Sequence, residues 1–171
     1  MQSIIRLIEG MTQAVGGLAA LIVIPLTIAT CYEVFARYLF GAPTIWAYEL
    51  GYTLMGIHFL LGGALTLKRQ AHVRIDLIYA QLSARGQAGV DLTLYLLLIV
   101  PALWLLTSRL GSYAWEAFNS GETTGQSAWN PPIWPLRFFI TAAFILLLLQ
   151  VIAECLKCVQ VLRGKSLEPL A

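Results

Sequence analysis

Glu33, Arg37-Tyr38, Phe40-Gly41-Ala42-Pro43, Trp46 and Glu49 lead into an eighteen-residue run without charge (50–67), and that run ends on Lys68-Arg69-Gln70-Ala71-His72-Val73-Arg74-Ile75-Asp76. An uncharged segment of this length between an aromatic and acidic end and a basic end has the pattern of a bilayer-spanning helix. Polar and ionisable groups so close to the hydrocarbon boundary are costly, and point to partners there.

Three more uncharged runs flank this one, at residues 10–32, 92–108 and 138–153. At ~1.5 Å per residue, spans of this order cover about 25–35 Å, the thickness of a hydrocarbon core. Ile133-Trp134-Pro135-Leu136 and Cys155-Leu156 extend the shortest run if Arg137 and Glu154 lie near the interfaces. Backbone groups in lipid must be satisfied within the segment, so the runs should be helical, and the lack of alternation excludes a barrel. The chain is 58% hydrophobic and 12% charged with mean hydropathy +0.75, far from a soluble domain. The expected fold is an all-α integral membrane protein, one domain over 1–171 with spans near 12–36, 45–67, 88–111 and 134–157.

Arg6, Lys68, Arg69, Arg74, Arg85, Lys157, Arg163 and Lys165 fall on one side of such a fold, and Arg37, Arg109 and Arg137 on the other. The positive-inside rule then predicts both termini in the cytoplasm. The net charge of +2 gives no argument for nucleic acid, and the basic residues suit topology and anionic headgroups. The first run is too long for the apolar core of a signal peptide, and no small-x-small cleavage pattern follows it. Cys155-x-x-Cys158 sits at a helix end without a thioredoxin-like context and reads as a pair of reduced structural thiols.

The connectors differ in character. Ile75, Ile78, Tyr79 and Leu82 share one helical face and Arg74, Gln81 and Arg85 another, which predicts a short amphipathic interfacial helix over about 72–85 between the second and third spans. Residues Gln2 to Glu9 are also short enough to lie flat. The connector from Ser112 to Trp134 is rich in Trp and Pro. Its Trp115, Glu122, Trp129 and Trp134 suit an interfacial aromatic belt and also a docking surface for an external protein.

Pro25 and Pro101 should kink their spans. Gly16-x-x-x-Ala20 and Gly62-Gly63-Ala64 offer close helix approach. His58, alone deep in a run, is expected to bond across helices, since no acids or bases continue a relay from it. Glu33 and Arg37, four apart, can pair, and with Arg37 across the turn as the one local partner of Glu49, a Glu33–Arg37–Glu49 cluster is expected at the outer membrane boundary. There is no H-E-x-x-H, G-x-S-x-G, phosphate-binding loop or metal-spaced His/Cys set, so no catalytic residue, substrate site, metal site or cofactor is expected.

The order R-Y…W-x-x-E-L…H-V-x-x-D, carried by Arg37-Tyr38, Trp46-Ala47-Tyr48-Glu49-Leu50 and His72-Val73-Arg74-Ile75-Asp76, resembles the small membrane subunit of tripartite ATP-independent periplasmic (TRAP) transporters, the DctQ-type family. Chain length, four spans and Trp129-Asn130-Pro131-Pro132-Ile133-Trp134-Pro135 before the last span extend the resemblance over nearly the whole chain. It implies a bacterial or archaeal cytoplasmic membrane, and two partners: a large multi-span subunit and a soluble periplasmic substrate-binding protein. In that family the large subunit carries the substrate and sodium sites and moves as an elevator. Organic acids, such as dicarboxylates or sugar acids, enter on a sodium gradient, and the small subunit looks like fixed scaffold. On that resemblance Glu33, Arg37, Tyr38, Trp46 and Glu49 would order the outer turn, and His72, Arg74 and Asp76 the inner connector. Two other classes compete: a stand-alone oligomeric transporter or channel, and a non-catalytic membrane anchor of a redox complex.

Overall fold

The computed structural model describes residues 2–71, 79 and 81–164. Its elements are α1 (Gln2–Leu21), α2 (Val23–Leu39), α3 (Ala47–Lys68), α4 (Ala84–Leu94), a π-helical turn (Tyr95–Ile99), α5 (Val100–Ser120) and α6 (Trp134–Leu162). Among the described residues four helical units are long and apolar enough to cross a membrane: Gln2–Leu39, Ala47–Lys68, Ala84–Ser120 and Trp134–Leu162. The all-helical, four-span expectation is met. Most of the interfacial segment proposed over 72–85 lies outside the described residues, as do His72, Arg74 and Asp76.

Pro25 and Pro101, the prolines expected to kink their spans, each leave a mark one turn upstream. Pro25 has no N–H for the Leu21 carbonyl, and the first unit breaks at Ile22, separating α1 from α2. Ahead of Pro101 the chain widens instead: the Val100 N–H reaches back five residues to the Tyr95 carbonyl. Such π turns relieve the clash a proline ring makes with the preceding turn. Both prolines therefore interrupt helical hydrogen bonding where kinks were expected.

The middle of the bundle is α6, which packs on α1, α3, α4 and α5, while α2 rests on α3. Val151 of α6 is almost fully enclosed and joins Leu67, Tyr95, Leu103, Leu148 and Cys155 in one apolar cluster. Outward-facing residues are apolar as well: Ile28, Phe59, Leu97 and Trp104 are all more than half exposed. In water such a surface would aggregate; in a bilayer it meets its own kind of solvent.

Residues 2–9 do not form a separate element. They are the first turns of α1, and Ile5, Ile8 and Glu9 on them are buried. The close approach of α1 to α3 runs through Gly16, where a built Cβ would lie 2.7 Å from Leu65 Cβ. Gly62 and Gly63 have no neighbour within 4 Å of theirs, so they are not the α3 side of that contact. His58 Nδ1 lies 2.9 Å from the Ala19 carbonyl oxygen, an interhelical hydrogen bond as expected. It serves α1 just before the break at Ile22.

Candidate functional site

The described polar chemistry collects at two ends of the bundle. One is the loop end, with the turn 40–46 and the loop 121–133; the other is the terminal end, where α1 starts and α3 and α6 finish.

At the loop end Glu33 closes the first turn. Its Oε1 accepts from Arg37 Nε at 2.9 Å, and its Oε2 accepts from the Thr44 backbone N–H at 2.9 Å and from the Thr44 hydroxyl. Gly41, at φ +60°, turns the chain so that the Ala42 N–H meets the Ala36 carbonyl. Thr44 Oγ1 in turn accepts from the Ala47 N–H at 3.3 Å and caps the entry to α3. Trp46 stacks on Tyr32, ring centroids 6.0 Å apart, while Tyr38 projects outward and is largely exposed.

Glu49 does not join Glu33 and Arg37. It is 1% exposed, and its Oε2 accepts from the Thr124 hydroxyl at 2.6 Å, in the second loop. Arg37 is already held by Glu33 one turn away, with half of its side chain in the open. The first turn of α3 aims Glu49 inward instead, so this carboxylate ties the loop 121–133 to the start of α3. Its Oε1 is buried without a hydrogen-bond partner.

The second loop is a stiff hairpin. Thr123 and Pro132 form an isolated antiparallel bridge, the Thr124 N–H donates to the Pro131 carbonyl, and the Ile133 N–H donates to the Glu122 carbonyl. Asn130 Oδ1 accepts from the Gly125 N–H at 2.8 Å. Arg137, buried in the first turn of α6, grips the base. Its guanidinium donates to both oxygens of Glu122 at 2.6 and 2.7 Å and to the Tyr113 hydroxyl at 2.6 Å, and it lies over the Tyr113 ring. Of the four proposed docking residues, Glu122 is thus engaged within the chain, and Trp134 is wedged edge-on between Phe118 and Phe138. Trp129 and Trp115 remain exposed, although Trp115 also stacks on Phe118.

The Arg137 guanidinium holds the Glu122 carboxyl below the usual carboxylate range, chiefly through these hydrogen bonds. A carboxyl that is a stronger acid when folded contributes fully above its unfolded pKa, and loses that contribution as pH falls through the folded one. Intrinsic-rate-corrected amide exchange in residues 122–133 should therefore stay level from about pH 7 to 5 and rise only below about pH 4. Glu122→Gln should show the raised exchange at every pH. A transition near pH 6 in the unsubstituted protein would contradict this assignment.

The terminal end holds a network that reading the chain by its uncharged runs missed. Thr12 Oγ1 donates to Gln150 Oε1 at 2.9 Å, and Gln150 Nε2 donates to Glu154 Oε1 at 2.9 Å. Lys157 Nζ lies 2.8 Å from Glu154 Oε1 and also pairs with Glu9. Gln70 Nε2 donates to Glu154 Oε2 at 3.1 Å, and Lys68 Nζ donates to the Glu9 carbonyl at 3.3 Å and to Gln13 Oε1 at 3.2 Å. Thr12, Gln150, Glu9 and Glu154 are all buried. The signal was spacing: 9, 12, 16 and 19 fall on one face of α1, and 150, 154 and 157 on one face of α6, and these faces meet.

Gln70 shows how specific the network is. It ends α3 in a Schellman turn at φ +53°, with its N–H on the Leu67 carbonyl and the Ala71 N–H on the Thr66 carbonyl. Glycine is the usual residue there, because it adopts this backbone without strain. A glutamine accepts about 1 kcal/mol of strain and supplies the amide that reaches Glu154. The end of α3 is therefore tied to α6 through Gln70.

Among the described residues no group of three or more His, Cys, Asp or Glu side chains is placed to hold a metal ion. The arrangement braces helices and loops against one another. A family model described as "Tripartite ATP-independent periplasmic transporters, DctQ component" matches residues 26–161, from the start of α2 nearly to the end of α6. No curated protein matches the chain.

Proposed function

The chain belongs to the DctQ-component family of tripartite ATP-independent periplasmic transporters, and from that premise we propose that it is the fixed scaffold subunit of a binding-protein-dependent importer of organic acids, of dicarboxylate or sugar-acid type, driven by a sodium gradient. The observation that carries this reading is the family match across α2 to α6. The geometry supports it: Lys157 joins Glu9 of α1 to Glu154 of α6, Arg137 holds Glu122, and Glu49 ties the second outer loop to α3. Groups so engaged suit a stationary brace better than a path for a solute.

In this proposal a large multi-span subunit in a bacterial or archaeal cytoplasmic membrane carries the moving transport domain. This chain, with both termini in the cytoplasm, widens the part that stays still. The exposed apolar faces meet that subunit and membrane lipid. The hairpin at 122–133, with Trp129 outward, contributes to docking of the periplasmic substrate-binding protein. His72, Arg74 and Asp76 orient the inner connector.

Affinity purification from native membranes tests the reading. It expects a co-purifying, highly apolar protein of many spans, and a proteoliposome flux that needs this partner and an exported binding protein. Robust transport by this chain alone would defeat it, and a haem or flavin absorbance would favour a redox anchor instead. Within the same assay Glu49→Ala should weaken co-purification and uptake together, because it unties the second outer loop from α3. Arg37→Ala should have the smaller effect, since Thr44 still holds Glu33. Full assembly and uptake in Glu49→Ala would remove Glu49 from the scaffold.

A further inference from the structure

His58 stands at the middle of α3, the twelfth of its 22 residues, where a bilayer is driest. Its Nδ1 bonds to the Ala19 carbonyl of α1. A carbonyl oxygen only accepts, so Nδ1 carries the hydrogen and donates it. The neutral ring then keeps its lone pair on Nε2, as a pure acceptor. Among the described residues nothing donates to that atom. Turning the ring to hide Nε2 would break the bond to Ala19, so the partner of one nitrogen fixes where the other points. Phe59 packs edge-on against the ring, with centroids 5.5 Å apart.

Two described side-chain atoms without partners, Glu49 Oε1 and Thr107 Oγ1, are sealed from any outside group. Nε2 is not among the sealed atoms, and His58 is only partly buried. The open side follows from helix geometry. Leu65 lies to one side of His58 on α3 and meets Gly16 of α1, whereas Gly62 and Met55 lie to the other. Gly62 has no atom within 4 Å of its built Cβ, and Met55 and Phe59 are 47% and 70% exposed. His58 thus marks the edge of the α1 contact, with its neighbours on the far side uncovered.

An acceptor at this depth selects its partner by chemistry. Acyl chains carry no hydrogen-bond donor, and the hydrocarbon core holds no water to replace one. A lone pair left unmet there costs free energy that a donor on another helix recovers. Hydroxyl and amide side chains of membrane helices make such bonds, and a small residue one turn away, here Gly62, lets the second backbone come close.

We infer that His58, Gly62 and Met55 seat a transmembrane helix of the large subunit, and that a hydroxyl or amide side chain of that helix donates to His58 Nε2. This rests on the scaffold reading above and names the face by which the scaffold is joined.

The full chain alone and the complex from native membranes, both isotope-labelled at the histidine nitrogens and held in lipid bilayers, make the test. In the chain alone the His58 Nε2 resonance should have the low-field position of an unbonded imidazole lone pair. In the complex it should move upfield while Nδ1 stays in place. His58→Asn identifies the signal by its loss. That variant keeps a donor for the Ala19 carbonyl and has no atom at the Nε2 position. Its association with the large subunit should weaken about threefold, the scale of a hydrogen bond between membrane helices. A benzophenone side chain in place of Met55 should cross-link to the large subunit. An unmoved Nε2 resonance in a complex that contains the large subunit, or cross-linking from position 55 to lipid alone, would overturn the inference and leave the scaffold reading standing. If no large subunit co-purifies, both fall.

Discussion

Gly16→Leu is expected to separate α1 from α3 and to destabilise the bundle by about 3 kcal/mol or more, at the upper end of what overpacking costs. The reason is local. A Cβ at position 16 would lie 2.7 Å from both Cβ and Cδ2 of Leu65, and Leu65 Cβ is fixed to the α3 backbone and cannot swing aside. Gly16→Ala should already lower the midpoint of thermal unfolding in detergent. Gly17→Leu, one residue on, meets nothing within 4 Å and should leave it unchanged. Shortening the opposing side chain supplies the decisive comparison: Leu65→Ala removes the Cδ2 contact and leaves the Cβ contact, so it should recover only part of the loss in Gly16→Ala, and Leu65→Gly should show the larger coupling. If Gly16→Leu and Gly17→Leu unfold alike, the close approach of α1 to α3 does not hold the first helix in place.

The same contact shows what was legible before any coordinates. Four spans could be read because a bilayer admits few solutions, and an uncharged run of membrane length has little else to become. Gly16 was visible as a small-residue position, but its partner was not, since Gly62-Gly63-Ala64 offered an equally good motif. The contact fell on Leu65, which no motif distinguishes. Glu33 with Arg37 followed from i,i+4 spacing on one helix. Glu49 did not, because its partner Thr124 lies 75 positions away, and nothing local tells a buried carboxylate from one facing the turn. Pairing Glu49 with Arg37 was a sequence-neighbour argument, and tertiary packing overrode it. At the terminal end, scanning for uncharged runs placed Glu9, Glu154 and Lys157 at boundaries, where charges appear ordinary. Their importance comes from helix faces converging, which depends on the relative rotation of α1 and α6.

Lys157→Met should be the most damaging single change at that convergence. Lys157 is the cation between two carboxylates from different helices, Glu9 on α1 and Glu154 on α6, and all three side chains are largely enclosed, with exposures of 18%, 7% and 6% respectively. Removing one partner of a buried ion pair typically costs about 3–5 kcal/mol, because the charge left behind has neither water nor counter-ion. Here two carboxylates would be stranded together. Glu9→Gln should cost less, since Lys157 keeps Glu154, and Glu154→Gln more than Glu9→Gln, since Glu154 also accepts from Gln150 and Gln70. The triple variant Glu9→Gln/Glu154→Gln/Lys157→Met should regain most of the loss, because neutral partners carry no desolvation debt. Unfolding in a fixed detergent gives the order, and limited proteolysis gives the place. In Lys157→Met cleavage should begin in α1 while α3 to α6 stay protected, because the polar contacts of α1 with α6 run through Glu9 and Thr12. A Lys157→Met protein as stable as the unsubstituted one would mean that the cluster is hydrated, and that apolar packing alone joins the first helix to the scaffold.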